Sequence, residues 1–331
     1  MLRKSLPVLK EIFKQAPTSG ILGGEALLGE KGNLVYYESY GHRRIIPRPE
    51  PWERDLFLDL ASITKPLVTA HLILWLSQKG ELSLHDPLGK YINPTRIGQV
   101  LLLELATHTS GLPAWVPLYK EGPGREKMKR VLFSLESKER GKVNYSCMGY
   151  FYLGLVIEKI TGKRLGEVAQ EFFRRRGMEL RMGRAEPAVP TELGNVYEKE
   201  KAPDAEVKFR EHLIEGEVHD GNSFYWGGDG GNAGAFLRAK ELLKYPELFD
   251  ELADARSYAL SPLAEGRSFG WEVRGSVLLH HGFTGGTLAF SPKNHRLAFL
   301  YLNRTHPRVR LKEMEKPRAD FLAKAFKFLK S

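Results

Sequence analysis

The sequence predicts an α+β fold in which one antiparallel sheet is assembled from both ends of the chain. Two observations carry this. Short alternating or apolar runs bounded by turn residues occur near the N-terminus and again after residue 268. Between about Ser62 and Lys244 the apolar residues instead recur at helical spacing, separated by long loops. The simplest closure pairs the terminal strands in one sheet, flanks it with helices from both termini, and inserts the helical region between. Residues 1–61 and 255–331 then form the sheet part and 62–254 the helical part.

Each element has its own signal. Leu6, Leu9, Ile12 and Phe13 share one helical face, which predicts an amphipathic docking helix over residues 1–14. Gly23–Gly29 and Leu34–Tyr40 read as two strands joined by a turn at Lys31-Gly32-Asn33, before a proline-rich loop with Pro47, Pro49 and Pro51. Leu67, Ala70, His71, Leu74 and Trp75 repeat at helical spacing, as do Tyr150, Leu153, Gly154 and Ile157. Phe269–Arg274, Ser276–His281, Gly286–Phe290 and Arg296–Leu302 read as a meander. A last helix is predicted over Pro317–Lys330, with Phe321, Leu322, Ala325 and Phe328 on one face.

With 331 residues the chain can bury a core that needs no staples. Its 42% hydrophobic and 27% charged residues exclude the disordered and membrane-spanning classes. Cys147 is the one cysteine, so no internal disulfide forms, which fits a reducing compartment. The N-terminal stretch has basic residues but no apolar run of signal-peptide length, and a cytoplasmic protein is expected. The net charge of +10 is spread among mixed signs. Its densest run, Arg174-Arg175-Arg176, lies beside Glu171 and Glu179 with no nucleic-acid motif, so neither nucleic acid nor a membrane is expected as a partner. Glutamine is confined to Gln15, Gln78, Gln99 and Gln170, and abundant Lys, Arg and Glu point to a thermophilic source.

Chemistry concentrates at Ser62 and Lys65. If a helix starts near Ile63, with Pro66 in its first turn, both side chains face the same way. A serine hydroxyl is a poor nucleophile until a neighbour takes its proton, and lysine does this only if its pKa falls. Burial and the positive end of a helix both act in that direction. By itself the pattern is common, because a capping serine and a solvated lysine produce it too.

Further blocks give the pair its setting. Leu60-Ala61-Ser62-Ile63-Thr64-Lys65-Pro66 is followed by Leu105-Ala106-Thr107-His108-Thr109-Ser110-Gly111-Leu112-Pro113, then by Tyr145-Ser146-Cys147 and Ile157-Glu158-Lys159-Ile160-Thr161-Gly162. Glu217-Val218-His219-Asp220, Gly227 to Gly234, and His280-His281-Gly282-Phe283-Thr284-Gly285 complete the series. Together these resemble the serine β-lactamase and penicillin-binding protein superfamily, in particular its class C and esterase-like branch. The blocks stand in the family's order over nearly the whole chain.

The resemblance implies a β-lactamase/transpeptidase-like fold with the active site between its two parts. It implies a serine hydrolase working through an acyl-enzyme on a small ester, amide or short peptide, with no metal or organic cofactor. A carboxylesterase-type activity is expected first. A D-amino-acid peptidase or a β-lactamase or penicillin-binding activity is the alternative, and a catalytically silent binding protein is the alternative of another class. Ser62 would be the nucleophile and Lys65 with Tyr145 would move the proton, the base of the two being left open. Backbone N–H groups of Ser62 and Phe283 would form the oxyanion hole, with Gly282 permitting close approach. Cys147, His280, His281 and Gly282 would line the substrate. Cys147 stands where the family carries asparagine, which weakens the case for amides. His281 stands where threonine often helps hold a substrate carboxylate, which weakens the case for carboxylated substrates. His280 and His281 would point to opposite faces of a strand, which argues against a shared metal. His108 and the His219-Asp220 pair are read as structural, and the glycine-rich stretch Gly227 to Gly234 as a loop without the Gly-Lys-Ser/Thr ending of a phosphate loop. Oligomeric state is not legible.

Overall fold

The computed structural model describes residues 20–252 and 263–331. The expected N-terminal helix, and the boundary drawn at residues 254 and 255, lie outside the described residues.

β1 (Gly23–Glu30) and β2 (Asn33–Arg44) form a hairpin. Its turn residues Lys31 and Gly32 both take left-handed backbone, with φ of 49° and 77°, as a tight hairpin turn requires. β3 (Glu50–Pro51) follows in the proline-rich loop, then the short β4 (Leu58–Asp59), β5 (Arg181–Met182) and β6 (Ala235–Leu237). β7 (Glu272–Arg274), β8 (Val277–His281), β9 (Gly286–Ser291) and β10 (Arg296–Leu302) form the expected meander. The main sheet is seven-stranded in the order β3-β2-β1-β10-β9-β8-β7. The two ends of the chain meet where β1 pairs antiparallel with β10, Ala26 opposite Leu300 and Leu28 opposite Ala298.

Alternation along β10 sets the two faces of this sheet. Leu297, Phe299 and Tyr301 join the large apolar cluster shared with the helical region. Ala298, Leu300 and Leu302 face the other way. Phe321, Leu322, Ala325 and Phe328 of the C-terminal helix cover that outer face.

The inserted region holds α1 (His71–Gln78), α2 (Leu102–Ala106), α3 (Arg125–Phe133), α4 (Met148–Thr161) and α5 (Leu165–Arg174). Short helices α6 (Val196–Lys201), α7 (Gly221–Trp226) and α8 (Tyr245–Asp250) follow, and α9 (Glu315–Lys330) closes the chain. Every residue from Met148 to Ile157 is buried, so α4 is wrapped by the rest of the region on all sides. Gly162 ends it in left-handed geometry.

Two local features depart from the sequence reading. β4, β6 and β5 form a second, three-stranded sheet, with β5 and β6 inside the part read as helices and loops and β4 just before Ser62. Strands of two or three residues are too short to leave an alternating pattern. The helix after Ser62 also does not begin as an α-helix. Ala61–Ile63 is a 3₁₀ turn and Lys65–Ala70 is π-helical before α1 starts. Such wide turns are frequent at functional sites.

In the basic run, Arg175 pairs with Glu171, and Arg176 pairs with Glu251 at 2.6 Å. Among the described residues no helix is long and apolar enough to cross a membrane.

Candidate active site

Ser62 sits in the 3₁₀ turn between β4 and the π-helical stretch, and Ala61 before it takes a left-handed φ of 45°. That geometry costs a residue with a side chain about 1–2 kcal/mol. Asp59 holds the turn in place. Its Oδ1 accepts the Ala61 N–H and its Oδ2 accepts the His219 N–H, both at 2.8 Å, while its carbonyl accepts the Thr284 hydroxyl at 2.6 Å. Burial pushes the Asp59 carboxyl up, and the His219 and Ala61 bonds pull it back.

Lys65 is fully buried. Its Nζ donates to Ser62 Oγ at 3.0 Å and to the Asn232 carbonyl at 3.0 Å. It also lies 5.1 Å from the centre of the Tyr145 ring and 5.8 Å from that of Tyr150. The Asn232 carbonyl belongs to the glycine-rich loop, which runs against α4. At Gly231, with φ of 87°, a Cβ would lie 2.3 Å from the Tyr150 carbonyl oxygen. Only glycine permits this approach, and the approach delivers the second acceptor to Lys65.

The charge on Lys65 runs against the sequence expectation. Burial does push it down, but negative charge available on Cys147 and Tyr145, with Asp220 behind them, outweighs burial and Lys65 is pushed up to about 12. The contributions of Cys147 and Tyr145 exist only while one of them is ionised. Burial pushes the Cys147 thiol up, and a neutral thiol is a poor nucleophile.

Tyr145 lies in the loop just before α4 rather than on the helix. Two imidazoles flank it, His108 at 4.4 Å and His280 at 6.0 Å between ring centres. His108 Nδ1 accepts the Ser146 N–H at 3.0 Å, and His280 Nδ1 lies 3.0 Å from the His281 carbonyl. Burial, then the charges of Lys65 and Arg267, push both well below the usual histidine range, so both are neutral. His219 turns away from Asp220. Its Nε2 lies 3.2 Å from Glu192 Oε2, while Asp220 Oδ1 accepts the Ser223 N–H at the start of α7.

Two cavities meet at Ser62, Tyr145 and Phe283. One, of about 310 Å³, is walled by Trp115, Cys147, Tyr197, His219 and Asp220. The other, of about 240 Å³, is walled by His280, His281 and Gly282 together with three arginines. Gly282 passes so close to the Ser62 turn that a Cβ there would lie 2.6 Å from the Leu60 carbonyl oxygen. Ser62, Tyr145, Cys147, His280, His281, Gly282 and Phe283 line these two cavities, and Lys65 lies against Ser62. Among the described residues no group of three or more His, Cys, Asp or Glu side chains is placed to hold a metal ion.

A family model described as Beta-lactamase matches residues 9–323. The chain belongs to the beta-lactamase family. The family and its structural neighbours are hydrolytic enzymes. An N-acetylmuramyl-L-alanine amidase of Bacillus subtilis (strain 168) is 23% identical over 92% of this chain and 82% of its own length. A putative D-alanyl-D-alanine carboxypeptidase of Escherichia coli (strain K12) is 25% identical over 86% of this chain and 78% of its own. Among solved structures, EstCE1, a hydrolase with promiscuous acyltransferase activity, superposes with a TM-score of 0.72 at 16% identity and covers 98% of this chain and 99% of its own.

Within this beta-lactamase family frame, sequence reasoning passed over several residues. Asp59, one residue before the Leu60–Pro66 block, carried no sequence signal. Asn232 was read only as part of a permissive loop, although its carbonyl holds Lys65. Arg267, Arg304 and Arg318 are far apart in sequence and carried no motif; folding alone brings them to one cavity.

Proposed function

We propose that this chain is a serine hydrolase that works through an acyl-enzyme on Ser62. The carrying observation is the 3.0 Å bond between a buried Lys65 Nζ and Ser62 Oγ, placed where two cavities meet. Ser62 Oγ attacks the substrate carbonyl carbon, and its proton passes into the Lys65–Tyr145 pair. The same pair returns a proton to the leaving group as the bond to it breaks. We assign this proton transfer to Lys65 and Tyr145 as a pair, the Lys65 Nζ lying 5.1 Å from the centre of the Tyr145 ring. Backbone N–H groups of Ser62 and Phe283 stabilise the oxyanion. Water then cleaves the acyl ester and frees Ser62.

A small ester is the substrate class we place first. The thiol of Cys147 lines the cavity where an amide side chain would bind a peptide bond, and a thiol is a weak hydrogen-bond partner. The amidase and carboxypeptidase relatives support amide or D-amino-acid peptide cleavage as the second reading, with β-lactam hydrolysis after it.

A serine-directed fluorophosphonate followed by intact-mass measurement tests the nucleophile. One adduct on the native chain, lost in Ser62→Ala, is expected. An adduct that persists in Ser62→Ala would sink the assignment, and no adduct on the native chain would favour a silent binding protein. A panel of p-nitrophenyl esters, D-amino-acid anilides and nitrocefin then ranks the substrate classes.

A further inference from the structure

The 240 Å³ cavity beside Ser62 is walled by Arg267, Arg304 and Arg318. They arrive from three places: the loop before β7, the segment after β10, and α9. Elsewhere the fold pairs its half-buried arginines with carboxylates, as Arg43 and Arg44 are paired with Glu50 and Glu215. Here it does not. Among the described residues none of the three arginines is ion-paired. Glu272, the carboxylate on this wall, is held by Arg274 at 2.5 Å.

Glu315, three residues before Arg318 on α9, acts on Arg318 through space without an ion pair, and the direct contacts of the three are with neutral groups. Arg304 Nε donates to the Phe283 carbonyl at 2.6 Å. Arg318 Nη2 lies 3.3 Å from Met314 Sδ, and its buried Nε has no partner. The Arg267 guanidinium lies 5.5 Å from the centre of the Tyr145 ring. The crowding has an electrostatic cost: burial and then the Arg318 charge pull Arg304 down to about 10. Burial and the surrounding arginines push His281 down to about 3, so it stays neutral. Its Nδ1 rests on the Thr287 hydroxyl at 3.1 Å.

We propose that this cavity is a subsite for a doubly charged oxyanion, a phosphoryl or dicarboxylate group carried by the molecule whose carbonyl meets Ser62. As a substrate subsite it rests on the serine hydrolase reading above. A single carboxylate would cancel one of three neighbouring positive charges. A group with two charges and at least three oxygens offers acceptors to several guanidinium forks at once.

Calorimetric titration of the Ser62→Ala chain with inorganic phosphate, malonate and acetate at low salt tests the subsite without turnover. Phosphate or malonate should bind one-to-one and at least about tenfold tighter than acetate, and the stronger of the two names the group. Arg318→Gln in that background should weaken dianion binding by about tenfold or more, as loss of a charge-assisted hydrogen bond does. If Arg318→Gln melts early because it disturbs α9, Arg267→Gln carries the same comparison. Equal affinity for acetate and both dianions, or affinity that survives in a folded arginine variant, overturns the proposal. Fluorophosphonate labelling of the native chain is scored separately. Labelling without dianion binding removes the subsite alone, and dianion binding without labelling removes the hydrolase reading and leaves the anion site.

Discussion

Lys65 is buried with Ser62 Oγ, one backbone carbonyl and two aromatic faces around its ammonium. Such a group is tuned by whatever charge its neighbours carry, so Lys65 and Tyr145 have to be tested separately. Lys65→Met and Tyr145→Phe should each lower p-nitrophenyl ester turnover by about 100-fold or more with circular dichroism unchanged. Near-native turnover in either would remove that residue from the proton path. Asp59 acts at one remove, through the Ala61 and His219 N–H groups. Asp59→Ala leaves two buried donors unmatched and should cost about 2–4 kcal/mol of stability, read by denaturant unfolding. Asp59→Asn keeps one acceptor and should recover part of both stability and turnover.

At the scale of elements, the end of β8 sets the width of the cleft. Gly282→Ala would drive a methyl into the Leu60 carbonyl and push the Phe283 amide away from Ser62. The expected result is a fall in kcat larger than any change in KM, together with a lower melting temperature, because the atom in the way is backbone. β1 carries a different device. Glu25 is buried between strands, and its Oε2 accepts from Tyr37 at 2.8 Å and Trp52 at 3.0 Å. Burial pushes its carboxyl up from 4.5 to about 7. Below pH 4.5 the folded and unfolded chains both hold this proton. Between pH 4.5 and about 7 the unfolded chain releases it first, so stability falls as pH rises, by about 3 kcal/mol in all. Glu25→Gln should flatten that window in pH-dependent unfolding. An unchanged slope would mean that Glu25 ionises freely in the fold.

At the scale of the molecule, a single apolar cluster runs from Leu27, Leu278 and Phe299 of the sheet to Leu67, Leu105 and Ile157 of the inserted region. We propose that the division at residues 61–62 and 254–255 separates stretches of chain rather than independent folding units. Calorimetry of the full chain should show one cooperative transition, and residues 62–254 expressed alone should fail to give a folded spectrum. Two separated transitions would contradict this.

The sequence by itself determined the main sheet, the central helix, α9 and the neighbourhood of Ser62. Alternation, helical spacing and contiguous blocks are local signals, and each is written within a dozen residues. The 3.0 Å contact of Ser62 with Lys65 was legible because three residues of one turn separate them. Only the tertiary structure decided what surrounds that pair. The Asn232 carbonyl reaches Lys65 across 167 positions of sequence. Asp59 holds His219 across 160 positions. The small sheet of β4, β5 and β6 rests on strands too short to carry a period. The charge on Lys65 and the arginine wall of the cleft are sums over groups that share no local pattern. Electrostatics depends on distance through space, and distance through space is what the fold adds to the sequence.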